Sequence, residues 1–136
     1  MMVGYSRTPL GEKLGIKAGF KVVTIGAPVG YSDRLEPLPE EVDLAYTDIS
    51  SADLIHVFTN SRNELFSVLS KYRHLIKQEG VIWVSWYKKS AKLPTEITED
   101  LIREAALPLG FVDVKVCAID ENWSGLKLVI RRENRL

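Results

Sequence analysis

Three short stretches hold side chains able to grip a ligand, and each follows an apolar run: Gly26-Ala27-Pro28-Val29-Gly30, Thr59-Asn60-Ser61 and Trp86-Tyr87-Lys88-Lys89. In the first, Gly26, Ala27 and Gly30 would let backbone approach a nucleotide or the methionine part of a cofactor. Its spacing is not G-x-G-x-x-G, and Pro28 removes one N–H donor, so a tight structural turn is the competing reading. In the second, Asn60 could bond a ligand amide or hydroxyl, and Ser61 opens a helix whose N-terminus suits an anion. Simple capping competes there. In the third, the ammonium groups of Lys88 and Lys89 could meet a phosphate or carboxylate, with Lys92 extending the patch, and the Trp86 indole could stack on a flat ring. A solvated lysine pair is the plain alternative. A carboxylate able to hold a ribose would end the second strand, where Asp48 is the candidate.

Other chemistries lack their residues. His56 and His74 have no partners at metal-ligand spacing, so no metal is expected. Cys117 sits in an alternating run without a cationic activator in sequence and reads as an inert thiol. Nucleophile elbow, P-loop and paired acids at defined spacing are all missing. Trp123 falls in the polar stretch Asp120–Gly125, where it would cap a sheet edge, line the crevice or meet a dimer partner.

Composition narrows the class. With 46% apolar and 26% charged residues, the 136-residue chain reads as one ordinary globular domain spanning 1–136. Eighteen basic residues balance eighteen acidic ones, so no global field favours nucleic acid or an anionic membrane. No apolar run approaches the ~20 residues of a membrane helix. Arg7, Glu12 and Lys13 break any signal pattern, and a cytoplasmic location is the expectation.

The elements that would position the three stretches follow in order. Thr8-Pro9 reads as an N-cap with proline at the first helical position, and Gly15 as the stop. Lys21–Ile25 is the first strand, residues 35–41 a loop, and Val42–Thr47 a weaker strand, leaving the fold of 31–52 open. Asp53–Thr59 is a strand, and Ser61 with Glu64 forms a capping box. Leu65, Leu69, Tyr72 and Ile76 continue that helix to a stop at Gly80, where the apolar strand run Gly80–Trp86 begins. Near-continuous apolar strands joined by a helix fit a parallel sheet covered on both faces. Thr98 caps a helix carrying Leu101, Ile102, Ala105, Ala106 and Leu109 inward, ended by Pro108 and Gly110. Val112–Cys117 and Leu126–Ile130 alternate with period two and pair as an antiparallel hairpin.

This order of elements resembles the S-adenosylmethionine-dependent methyltransferase fold, shortened between Gly26 and Asp53. The expected architecture is thus a three-layer α/β Rossmann-like sheet, mostly parallel, with a C-terminal antiparallel hairpin. The whole sequence also resembles a family of small uncharacterised bacterial proteins through Gly4-Tyr5-Ser6, Thr8-Pro9-Leu10, Lys13-Leu14-Gly15-Ile16, Leu35-Glu36-Pro37-Leu38-Pro39, Trp86 with Lys88-Lys89, and Ala105–Asp120 with Trp123–Leu128. That family brings no activity with it. The leading functional expectation is a module that binds a small nucleotide-like or anionic ligand without catalysis. A reduced S-adenosylmethionine-dependent methyltransferase comes second, and a homodimeric interaction domain third.

Overall fold

Six strands form one sheet in the computed structural model, which describes residues 8–47 and 49–136. In chain order they are β1 (Lys21–Ile25), β2 (Asp43–Ala45), β3 (Ala52–Phe58), β4 (Ile76–Tyr87), β5 (Phe111–Ala118) and β6 (Trp123–Ile130). The spatial order is β2-β1-β3-β4-β6-β5. The first four run parallel; β6 lies antiparallel between β4 and β5. This is the mostly parallel α/β sheet with a C-terminal antiparallel hairpin that the residue pattern predicts.

Among the described residues four α-helices cover its faces: α1 (Leu10–Leu14), α2 (Tyr31–Leu35), α3 (Arg62–Tyr72) and α4 (Glu99–Ala106). Strand side chains alternate between two faces. Val23, Ile55, Val57, Ile82, Val84 and Trp86 join Leu65, Leu69 and Tyr72 of α3 and Ile102 and Ala106 of α4 in one core. Val22, Leu54, Phe58 and Trp83 pack with Leu10 and Leu14 of α1 and Tyr31 and Leu35 of α2 in the other. Trp83 is fully buried, and its indole N–H donates to the Leu14 carbonyl at 3.0 Å, pinning α1 to the sheet.

Several local expectations shift. Pro9 is the N-cap residue of α1 rather than its first helical position, and no side chain caps that end; Gly15 closes the helix in the left-handed conformation as predicted. Gly80 does not stop a helix. α3 ends at Tyr72, and β4 already begins at Ile76, which pairs with Ala52. Gly80 lies inside that strand, where an added Cβ would come within 2.5 Å of Ile76 Cγ1. The glycine therefore admits a buried isoleucine from its own strand. Residues 31–35, left open by the pattern, form α2, and the weak strand is real but only three residues long. Trp123 and Ser124 belong to β6 rather than the turn. Asp48 lies outside the described residues.

Candidate functional site

Parallel pairing brings the carboxyl ends of β1, β3 and β4 to one edge of the sheet, with Ile25 beside Val57 and Phe58 beside Ser85. The loops that begin at Gly26, Thr59 and Lys88 therefore share a rim, the place where open α/β sheets bind ligands. Backbone bonds lace them together. Thr59 N–H donates to the Ser85 carbonyl at 2.9 Å, and Lys88 N–H to the Asn122 carbonyl at 2.9 Å.

Each candidate side chain has a definite place on this rim. Gly26 takes φ +72°, and an added Cβ would sit 2.6 Å from the Phe58 carbonyl oxygen. Its lack of a side chain lets the first loop press against the end of β3. Pro28 offers its carbonyl to Tyr31 N–H at 3.2 Å, and Gly30, also left-handed, is the N-cap residue of α2. Ala27 packs against the core on that side. Asn60 is a staple: its Oδ1 accepts from Tyr87 N–H at 2.8 Å, and its carbonyl accepts from Glu96 N–H at 2.9 Å. Ser61 caps α3, accepting from Glu64 N–H at 3.2 Å. Its own N–H donates to Thr59 Oγ1 at 3.2 Å. The carboxylate of Glu96 accepts from Arg62 N–H at 2.9 Å, so the chain places an anion of its own at the positive end of α3.

Trp86, Lys88 and Lys89 line one cleft of 810 Å³, with Thr98, Glu99, Asp100 and Arg103 on the facing wall and Ser124 at its edge. Those facing residues escape a sequence reading, because only the docking of α4 beside β4 brings them there. The one advance signal was Thr98, whose Oγ1 does accept from Leu101 N–H at 3.1 Å and starts α4 at the cleft. Charge is divided across the cleft. Two lysines stand on the β4 side. On the α4 side Arg103 is held by Glu99 (3.0 Å), Asp100 (3.1 Å) and, behind the cleft, Asp113 (3.0 Å). The Arg103 hydrogen bond pulls the Asp113 carboxyl below its ordinary range, and the same bond raises the guanidinium. The Trp86 ring is largely committed to the core, with 7% of the residue exposed, so little of it is left to stack on a ligand.

On the opposite face of the rim the chain fills its own space. Tyr31 packs edge-on to His56 and Phe58, and Phe58 edge-on to Trp123, with ring centroids 5.0–5.3 Å apart. Arg34 of α2 pairs with Asp120 of the hairpin turn and donates to the Ile119 carbonyl at 3.0 Å, closing that side. Trp123 is 8% exposed. It packs against Phe58 and Tyr87 and so caps the sheet from within.

Beneath this cover lies a buried polar row. His56 is fully buried between the Tyr31 hydroxyl, 2.6 Å from Nδ1, and Ser85 Oγ, 2.7 Å from Nε2. A neutral imidazole donates from one nitrogen and accepts at the other, so both contacts are satisfied. Burial pushes the His56 pKa down to about 3 and raises that of the Tyr31 hydroxyl. Ser85 is also fully buried, so the row is a structural network rather than a nucleophile and its base. Burial likewise raises the Cys117 thiol, in keeping with an inert sulfur. Among the described residues no His, Cys, Asp or Glu group could hold a metal ion. Nor is any helix long and apolar enough to cross a membrane.

No family model and no curated protein matches this sequence. Solved structures do match in shape. A S-adenosylmethionine-dependent methyltransferase from Aquifex aeolicus superposes with a TM-score of 0.66 at 13% identity, over 88% of this chain and 87% of that one. A chain of the complex between the Haloferax volcanii Trm112 methyltransferase activator and the putative methyltransferase gives 0.65 at 11% identity, over 93% and 89%. Aeropyrum pernix fibrillarin, solved with natively bound S-adenosyl-L-methionine, gives 0.58 at 12% identity, over 93% and 70%. With the strand order and the antiparallel β6 between β4 and β5, these likenesses identify the architecture: the chain has the Rossmann-like fold of the S-adenosylmethionine-dependent methyltransferases.

Proposed function

We propose that the chain is a binding module for a small nucleotide-like ligand, seated in the cleft at the end of β4, with no chemistry of its own. One observation carries the reading: Lys88 and Lys89 stand on one wall and Glu99 and Asp100 on the other, across a cleft of 810 Å³. A nucleoside phosphate divides its groups in the same way. The lysine ammoniums suit its phosphate, and the carboxylates suit the donors of its ribose diol or base amino group. That volume falls in the range of small-ligand sites. The filled α2 face, where Tyr31 and Phe58 are 2% and 4% exposed, directs the ligand to the β4 end instead of the end of β1.

A second reading, methyl transfer from S-adenosylmethionine, has its own support. Solved neighbours of the same fold include a protein described as S-adenosylmethionine-dependent and one holding that cofactor. The cleft's divided charge also suits a molecule with a carboxylate at one end and cationic centres elsewhere. Lys88 and Lys89 would take the carboxylate and Glu99 the ribose, and the bound cofactor would supply a transferable methyl group.

Thermal unfolding with AMP, ATP, S-adenosylmethionine and S-adenosylhomocysteine separates the two readings. A ligand at 100 times its dissociation constant stabilises by about 2.7 kcal/mol, a rise of several degrees. The first reading expects nucleotides to raise the midpoint and the Lys88→Ala/Lys89→Ala variant to lose that response while folding normally. A response to S-adenosylmethionine and its product alone supports the second. Silence across the panel overturns both.

A further inference from the structure

At the far end of the sheet, away from the rim, a second pocket of 570 Å³ lies between the chain leaving α1 and the starts of β3 and β4. Lys17, Lys77 and Lys127 line it, with Phe20 as its aromatic wall. Lys77 is spoken for: its ammonium meets Asp53 at 2.8 Å, and Asp53 is held below its ordinary range by that contact and by Lys21 N–H against the opposing cost of burial. Glu79 is the other acid lining the pocket.

The unusual element is the pairing of β5 with β6. Lys115 and Lys127 are direct cross-strand partners, so their side chains leave the same face of the sheet side by side. Like charges in that position oppose pairing, and Lys127 is only partly exposed. Burial, Lys115 and Lys17 all lower the pKa of the Lys127 ammonium. Among the described residues, no hydrogen bond or ion pair engages the ammonium groups of Lys17, Lys115 and Lys127. Two cations are thus held in register by β5 and β6, with Lys17 close enough to act on Lys127, beside a pocket whose Asp53 is already paired.

We propose that this pocket is a second anion site, taking a compact phosphate-bearing ligand between Lys17 and Lys127 with Lys115 at its edge. The bound anion relieves the repulsion built into the β5–β6 register. The site is independent of the rim cleft, at the opposite end of the strands.

The test is thermal unfolding of the full chain at low ionic strength with increasing inorganic pyrophosphate, against sodium chloride at matched ionic strength. Pyrophosphate is expected to raise the midpoint by several degrees beyond the salt control. Lys127→Met is expected to weaken the apparent affinity at least tenfold, while remaining no less stable than the wild type without pyrophosphate, because one of the repelling charges is gone. Lys115→Met, altered at an exposed position, gives the same direction should Lys127→Met fail to fold. Lys88→Ala/Lys89→Ala keeps the part of the response that Lys127→Met removes. An equal response in wild type and both single variants overturns the proposal, as does its loss in the rim variant or its absence in the wild type.

Discussion

The buried His56 makes stability depend on pH between about 6.5 and 3, a window whose upper part lies above the ordinary carboxylate range. In the folded chain the ring resists protonation until about pH 3, because burial removes the water that would solvate its charge. In the unfolded chain it accepts a proton near the ordinary value of 6.5. Between those values the unfolded state binds more protons, so stability falls as pH drops through 6.5 and goes on falling toward 3. The full shift corresponds to about 5 kcal/mol, and the part expressed between pH 7 and pH 5 is about 2 kcal/mol. The lowered carboxyls of Asp53 and Asp113 act further down: their stabilisation is present above the ordinary carboxylate range and is lost below it. Urea unfolding at pH 7 and pH 5 measures the difference directly. His56→Gln, which can still reach Ser85 but strands the Tyr31 hydroxyl, should cost about 1–3 kcal/mol at pH 7. It should also remove most of the pH 7-to-5 loss. A wild-type loss below about 0.5 kcal/mol, or an equal loss in the variant, would refute the assignment of a neutral buried imidazole.

Other substitutions probe the rim itself. Gly26→Ala forces a side chain into a left-handed backbone and against the Phe58 carbonyl; denaturant unfolding should show a loss of about 2–4 kcal/mol. Trp123→Ala removes a ring that packs on Phe58 and Tyr87. It should lose about 3–5 kcal/mol with no change of mass by light scattering, and a drop in mass would restore an interface role. Asn60→Ala leaves Tyr87 N–H without its acceptor and should cost about 1–3 kcal/mol, with faster hydrogen exchange at Tyr87.

How much of this was legible in the residues depended on the range of the interaction. Ser61, Thr98, Gly15 and Gly110 announced helix ends because each acts within a few residues of itself. The alternation of Val112 to Val116 and Leu126 to Ile130 announced the hairpin for the same reason. Gly80 misled, since its small size serves a packing contact with Ile76 rather than a helix stop. Ile76 itself kept helical spacing with Tyr72 while belonging to a strand, its place set by pairing with Ala52. α2 was invisible at five residues, too short for a period to register.

The site divided along the same line. A common rim for the loops after β1, β3 and β4 followed from parallel pairing alone. What the rim holds did not. Glu96 meets Arg62 N–H from 34 residues away in sequence. The walls opposite Lys88 and Lys89 come from α4. Trp123 read as a tryptophan in a polar turn only because the start of β6 was placed too late.

Amide and indole NMR shifts during nucleotide titration test the central claim most directly. Saturable changes are expected at Trp86, Lys88 and Lys89, at Thr98 to Asp100 and at Ser124, lost in Lys88→Ala/Lys89→Ala. Changes confined to Asp53 and residues 77–81 at the other end of the strands, or no saturable change anywhere, would contradict it.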